Sequence, residues 1–380
     1  MSRPQKRLRI AILGTRGIPA RYGGFETFAE QLSVRLVQRG FEVTVYAEAE
    51  GSTPPDATYR GVRVRYRRRP RWGPASAIAY DCACLWDARH GYDLVYMLGY
   101  GAAWACWLPR VWGTPVWINV DGLEWARSKW GMPARVYLRL MEWVATRTAT
   151  RLIADADAIA QRFRQRYPRG APCTTIAYGA DVVDPAQVSI APLAAWGLTP
   201  GQYALVVARP EPENHVLEIV EGYRQHPGDW PLVVVGNVNG SNPYQRRLLA
   251  LRSERIRFIG AVYDPAQLTA LRAHAGVYLH GHSVGGTNPS LLESMACGSL
   301  VIAHDNPFNR EVAGEGALYF DSISTMVRAL SSLLSQSSAV IQQRRRRMQA
   351  VVRRRYDWNR IADAYVRLIR RQVGHVDTTH

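Results

Sequence analysis

GTRGIPARYGGFETF, residues Gly14–Phe28, joins the apolar run Arg9–Leu13 to a helical pattern over Phe25–Arg39. The run has the length of a strand buried on both faces. The pattern places apolar residues at 25, 28, 29, 32 and 36 and stops at Gly40, a helix-ending residue. Strand, glycine-rich turn and helix in that order predict an α/β fold, because parallel strands need helical crossovers. Such turns let backbone amides approach a phosphate seated on the helix N-terminus. The spacing here is Gly14-x-x-Gly17, with a second pair, Gly23–Gly24, just before the helix. That loop is longer than the dinucleotide fingerprint, which weighs against a nicotinamide-dependent dehydrogenase. Glu48, after the second strand, is the residue that would otherwise serve as the ribose acid. A loop that merely turns is the plainer alternative.

The same alternation continues on both sides of residue 190. Further strands are predicted at Glu42–Tyr46, Val62–Tyr66, Leu94–Met97, Val116–Val120, Leu152–Ala154 and Thr174–Ala177. In the back half they fall at Tyr203–Val207, Leu232–Val235, Ile256–Phe258, Val277–Leu279 and Leu300–Ile302. The expected organisation is a domain over 1–185, a Pro/Ala/Gly-rich linker over 186–202, a second domain over 203–355, and a final helix in 356–380. The 380 residues are enough for two cores. The uncharged run Leu94–Pro109 holds two glycines and is too short to span a bilayer, so it reads as a buried strand and an aromatic-rich loop or short helix.

Composition excludes a mostly disordered chain, with 47% hydrophobic and 21% charged residues. Five cysteines lack paired-ligand spacing, which argues against a disulfide framework or a zinc site and for a reducing cytoplasm. No signal peptide is expected, since MSRPQKR runs straight into the first strand. Net charge is +17, and every basic residue but Lys6 and Lys129 is arginine. That excess suggests an anionic partner, unless codon composition alone explains it.

GGTNPSLLESMACG, Gly285–Gly298, follows the strand that ends in His280-Gly281-His282. Asn288 suits an N-cap and Pro289 the first helical position. The amides around Gly286, Thr287 and Asn288 should therefore form an open helix N-terminus, with Glu293 just over a turn further on. Amides for phosphates and a carboxylate for a sugar hydroxyl suit a nucleoside diphosphate sugar. His280 and His282 have no third ligand nearby and read better as satisfied polar groups than as a metal pair. In VARPEPEN, Val207–Asn214, Arg209 ends a strand and is a fitting diphosphate clamp. In NVDGLEWARSKW, Asn119–Trp130, Asp121 and Glu124 offer a carboxylate pair for acid/base work, although Asp-Gly is also a common turn.

With these motifs the chain resembles the family-4 retaining glycosyltransferases of GT-B architecture, and within them the bacterial polysaccharide rhamnosyltransferases. GTRGIPARYGGFE and GGTNPSLLE carry the resemblance, supported by VARPEPEN and NVDGLEW. It implies an α/β fold of two Rossmann-like domains whose parallel sheets face a central cleft, with the last helix crossing back to the first domain. It also implies transfer of L-rhamnose from dTDP-rhamnose to a polyprenyl-diphosphate-linked saccharide, with retention and no metal or cofactor. The donor would lie against Arg209, Asn214, Gly286, Thr287, Asn288 and Glu293. Val262 and Tyr263 would touch its base, and Gly23 and Gly24 would close over the diphosphate. Asp121 would be catalytic, with Glu124, Trp125 and Arg127 at the acceptor.

Three departures from the wider family stand out. Gly285 replaces a glutamate eight positions before Glu293, Asn214 a lysine, and Asp121 a histidine. A less polar 6-deoxy sugar accounts for the first.

Asp155-Ala-Asp157 has the spacing of a manganese-binding D-x-D, but after a strand it reads as the opening of a helix. Seven arginines within Arg60–Arg71 and the run Arg344–Arg347 would bind any polyanion, yet no nucleic-acid motif accompanies them. The run at 344–347 reads as a solvated face. With Trp72, Trp104, Trp107, Trp112, Trp125 and Trp130, the front-half arginines suit an anionic membrane surface. A cytoplasmic enzyme, peripheral on the inner face of the cell membrane, is the expectation.

Overall fold

The computed structural model describes residues 7–20, 23–49, 52–120, 122–127 and 130–376. The chain divides into two compact units. The first holds the described residues up to Trp125, Gly131–Tyr178, and the C-terminal stretch from Trp358. The second holds Gly179–Asp357 together with the described residues of Ala126–Trp130.

Eight strands form the sheet of the first unit: β1 (Arg9–Leu13), β2 (Glu42–Ala49), β3 (Ala57–Tyr59), β4 (Val62–Arg68), β5 (Leu94–Leu98), β6 (Val116–Asn119), β7 (Arg151–Ala154) and β8 (Cys173–Thr175). Their order is β3-β4-β2-β1-β5-β6-β7-β8, parallel except for β3 against β4. Ile10 stands level with Val43 on one side and Leu94 on the other. The helices are α1 (Gly24–Gln38), α2 (Ser76–Asp87), α3 (Trp107–Val111), α4 (Met132–Thr148) and α5 (Asp157–Arg166). Central strands such as β1 and β5 are buried almost throughout, as a parallel sheet covered on both faces requires.

The second unit has six parallel strands in the order β11-β10-β9-β12-β13-β14. They are β9 (Ala204–Val207), β10 (Leu232–Val235), β11 (Ile256–Gly260), β12 (Val277–His280), β13 (Val301–His304) and β14 (Leu318–Phe320). Its helices are α6 (Val216–Gln225), α7 (Pro243–Ala250), α8 (Pro265–Ala273), α9 (Pro289–Ala296), α10 (Pro307–Ala313), α11 (Ile323–Leu334) and α12 (Ser338–Val351). The core gathers Val206, Val234, Leu279 and Ile302 from the strands with Ile219 and Leu330 from the helices. The last helix, α13 (Trp358–Val376), belongs to the first unit.

In that unit α13 packs on α1 through aromatic rings. Phe28 meets Trp358 and Tyr365 with centroids 6.1 and 5.9 Å apart, and the Tyr365 and Tyr96 hydroxyls lie 2.9 Å apart. Arg39 donates to Asp363 at 2.7 Å.

Two expectations need correction. Residues 186–202 are no free linker: they lie in the second unit, with a 3-10 turn at Ala191–Trp196 whose Leu193 is buried. The run Arg344–Arg347 is only partly a solvated face. Arg345 donates to the carbonyls of Gly298 and Ala275, and Arg344 to that of Gly316, because these loop carbonyls have no ladder partner.

Candidate functional site

In the second unit the chain builds outward from β9 to β11, then returns to β12 on the other side of β9. The strand order reverses between β9 and β12, so the loops leaving those two strands sit where open α/β sheets bind ligands. They are Ala208–His215 and Gly281–Asn288, the two loops singled out by their motifs.

Close backbone approaches shape both loops. A Cβ on Gly236 would come 2.2 Å from the Ala208 carbonyl oxygen, and one on Gly281 would come 2.1 Å from that of Asn214. Glycine is needed at both places. Arg209 projects outward, 59% exposed, with Glu211 at 3.8 Å. Asn214 differs from the expectation. It is buried, and its amide donates to the Arg209 carbonyl at 2.8 Å, so it holds the loop that carries Arg209. A short amide reaches that carbonyl where a donor-facing lysine was the family pattern.

Helix α9 opens as predicted. The Asn288 side chain accepts from the Ser290 amide at 3.0 Å, and Pro289 is the first helical residue. Ser290 donates to the Val207 carbonyl at 3.0 Å and lies 2.7 Å from the Tyr278 hydroxyl, which pins the helix start to the end of β9. Gly286 and Thr287 are buried just before it. Gly285 has φ of +126°, a conformation that L side chains rarely adopt. Glu293 is half-buried and paired with Arg272 of α8 at 2.6 Å. Arg272 is itself buried, so the carboxylate is held in one orientation. Nothing in the local sequence marks Arg272, because the pair joins two different helices. Val262 and Tyr263 follow β11, on the same rim but two strands from β9, and Tyr263 is exposed.

Four histidines gather beside these loops. His280 stacks on His282 with centroids 4.5 Å apart, and His215 on His304 at 4.3 Å. The expectation of satisfied histidines holds only in part. His280 faces the Tyr278 hydroxyl at 3.4 Å, but its Nε2 and the His282 Nδ1 are buried without a hydrogen-bond partner among the described residues. Burial, then Arg209, Arg127 and His215, push the His282 imidazole down to about 3. Such a ring is neutral when folded and binds a proton when unfolded below its ordinary value of 6.5. Its contribution is therefore complete above that value and is lost as pH falls toward 3. His282→Gln is expected to flatten the decline of the melting temperature between about pH 6.5 and 4. An unchanged slope would place the acid sensitivity elsewhere.

In the first unit the order reverses between β1 and β5, which sets the Gly14–Gly23 loop at the corresponding place. A Cβ on Gly14 would come 2.2 Å from the Leu98 carbonyl oxygen. Two of the loop's amides are not open to a phosphate: Arg16 donates to Glu26 at 3.2 Å and Ala20 to Glu30 at 2.7 Å. Gly23 and Gly24 are exposed at the start of α1, which has no side-chain cap. Asp121 lies outside the described residues. Glu124 follows it in a short turn, where its amide donates to the Tyr100 hydroxyl at 3.1 Å. Trp125 is occupied structurally. Its indole donates to buried Glu142 at 2.8 Å and lies under the Arg139 guanidinium. Arg127 falls in the second unit, where its charge reaches His282. Asp157 is the first residue of α5, after Asp155.

Comparison with known proteins places these sites in context. Residues 7–181 match a family model described as a domain of unknown function, DUF1972, and residues 198–355 match the model of glycosyl transferases group 1. Comparison with curated proteins finds no match. Among solved structures, sucrose-phosphate synthase from Thermosynechococcus elongatus is similar with a TM-score of 0.80 at 17% identity, over 97% of this chain and all of that one. The Anabaena protein HepE in complex with UDP and glucose gives 0.74 at 18% identity, over 96% and 99% of the two chains. Trehalose 6-phosphate synthase from Burkholderia multivorans gives 0.73 at 14% identity, over 99% and 98%. Residues 198–355, which match the model of glycosyl transferases group 1, thus carry Arg209, the start of α9 and Glu293, in a chain with the GT-B fold.

Proposed function

We propose that the chain transfers a sugar from a nucleotide donor, with dTDP-rhamnose preferred, to a hydroxyl of a polyprenyl-diphosphate-linked saccharide. The observation that carries the reading is the switch point between β9 and β12, where the loop after β9 carries exposed Arg209 and the loop after β12 leads into the start of α9. On this reading Arg209 and the amides of Gly286–Asn288 take the diphosphate. Glu293, oriented by Arg272, takes a sugar hydroxyl, and Val262 and Tyr263 lie toward the base. Asn214 acts through Arg209 rather than on the donor. Gly23 and Gly24 offer further amides to the diphosphate.

As the bond to the leaving phosphate breaks, charge grows on its oxygens, and donors already in place stabilise it without a metal. The reading keeps front-face attack with retention, the leaving phosphate assisting removal of the acceptor proton. Asp121 is assigned to the reacting centre, with Glu124 and Arg127 at the acceptor. HepE, whose solved complexes hold UDP, glucose and UDP-glucose, supports a nucleotide-sugar donor. The preference for a 6-deoxy sugar rests on Gly285: its left-handed φ disfavours the glutamate that would hold a more polar sugar end. Peripheral placement on the inner face of the cell membrane belongs to the same proposal, since the acceptor lipid is found there. Among the described residues no helix is long and apolar enough to cross a membrane.

Thermal-shift titration checks the donor side. dTDP and dTDP-rhamnose are expected to raise the melting temperature, by the equivalent of about 2.7 kcal/mol at a ligand concentration 100 times Kd. Stabilisation by NAD with none by any nucleoside diphosphate would revive the dehydrogenase reading.

A further inference from the structure

The first unit contains a cavity of about 760 Å³, a volume typical of small-molecule sites. Its walls are the segment Arg68–Trp72 that leaves β4, one face of α2, and Trp104 from the turn after β5. Ile78, Ala79 and Cys82 make the α2 wall apolar, and Trp72 and Trp104 stand on the other side. Arg68 and Arg71 are exposed at its edge, with no ion-pair partner among the described residues. An apolar chamber edged by two uncommitted cations suits a molecule with a hydrocarbon chain and an anionic head. The cavity also lies at the carboxyl ends of β4 and β5, the side of a parallel sheet on which ligands bind.

The surface around it is unusually apolar. Trp107 and Val111 of α3, the following Trp112, and Trp86 of α2 are all exposed. Helix α4, which packs on the turn carrying Trp104, presents Met132, Val136, Leu140 and Trp143 outward, each between 47 and 72% exposed. Their spacing puts them on one helix face, with Arg135, Arg139 and Arg147 between and beside them. Arg147 lies over the Trp143 ring and Arg89 over that of Trp86. Exposed indoles and aliphatics interleaved with arginine are the composition of an anionic bilayer interface.

From this juxtaposition we infer that the cavity takes the phosphate-proximal hydrocarbon chain of the lipid acceptor. Arg68 and Arg71 meet the phosphate, and the faces of α3 and α4 rest on the bilayer that presents it. The inference rests on the lipid-acceptor part of the proposed function and adds the site where the chain is held. No bond changes there: the cavity binds and orients the acceptor.

The test uses the full chain and farnesyl phosphate carrying a photoreactive diazirine on its chain, in phosphatidylcholine vesicles doped with phosphatidylglycerol. Labelled peptides are mapped by mass spectrometry. Label is expected on Trp72–Ala83 and Trp104, and farnesyl phosphate should compete for it while inorganic phosphate does not. Ala79→Trp fills the chamber from a partly exposed helix position, and intact melting confirms that the variant folds. It should lose label about tenfold, the equivalent of roughly two buried methylene groups, while still floating with the vesicles.

Label elsewhere, label unchanged in the filled variant, or equal competition by inorganic phosphate would overturn the inference. So would a concentration-dependent dimer that shields these residues, since a second copy would then own the face. Sugar-transfer assays on the same samples separate the two readings. Chain binding in the cavity without transfer to any prenyl-linked acceptor would end the lipid-acceptor reading and leave the cavity assignment standing. Transfer with label elsewhere would do the reverse.

Discussion

Asp121→Asn is expected to lower turnover about 100-fold or more, the loss associated with removing a positioned acid/base group, while affinity for dTDP stays nearly unchanged. Val120, the preceding residue, donates its amide to the Ile153 carbonyl at 2.9 Å, and the proposal assigns Asp121, next in sequence, to the reacting centre. A carboxylate there can orient the acceptor hydroxyl or stabilise positive charge at the anomeric carbon, and both roles need the charge. Asparagine keeps the size and turn propensity, so the melting curve should be that of the native chain. Separate measurement of turnover and dTDP affinity distinguishes a catalytic loss from a binding loss. Near-native turnover in a well-folded variant would leave Asp121 as a turn residue and move attention to Glu124.

Arg209→Ala should weaken nucleoside diphosphate binding by about 1.5–3 kcal/mol, the range for hydrogen bonds to charged groups. Its side chain is exposed and its one ion-pair contact among the described residues, Glu211 at 3.8 Å, is long. Little folding energy therefore depends on the guanidinium, and stability should hold. Arg346 is the control: it is exposed on α12, and Arg346→Ala should change neither binding nor melting. Equal effects of the two substitutions on dTDP titrations would make Arg209 one more surface arginine.

Most of the architecture was legible because hydrophobic periodicity reports burial directly. The strands read from the sequence at 9–13 and 232–235 coincide with β1 and β10, and the helix read as Phe25–Arg39 is Gly24–Gln38. β3 and β14 escaped notice. Each has three residues, too few to show a period, and β3 pairs antiparallel at an edge with little burial.

The site divides in the same way. Asn288, Pro289 and Arg209 were readable because capping chemistry and strand ends are local properties. The Arg272–Glu293 pair, the stacking of His215 on His304 and the inward turn of Asn214 depend on segments brought together only by the fold. Trp125 has a structural task that its place in NVDGLEW does not reveal: the buried carboxylate of Glu142, supplied by α4, accepts from its indole N–H.

The central claim is sugar transfer from a nucleotide donor by a group 1 domain on this fold. The most direct measurement incubates the full chain with a panel of nucleotide sugars and a prenyl-diphosphate-linked saccharide, and identifies products by mass spectrometry. One 6-deoxyhexose is expected to be added from dTDP-rhamnose, in excess chelator as well as without it. No sugar transferred from any donor, or transfer abolished by chelator and restored by manganese, would contradict it.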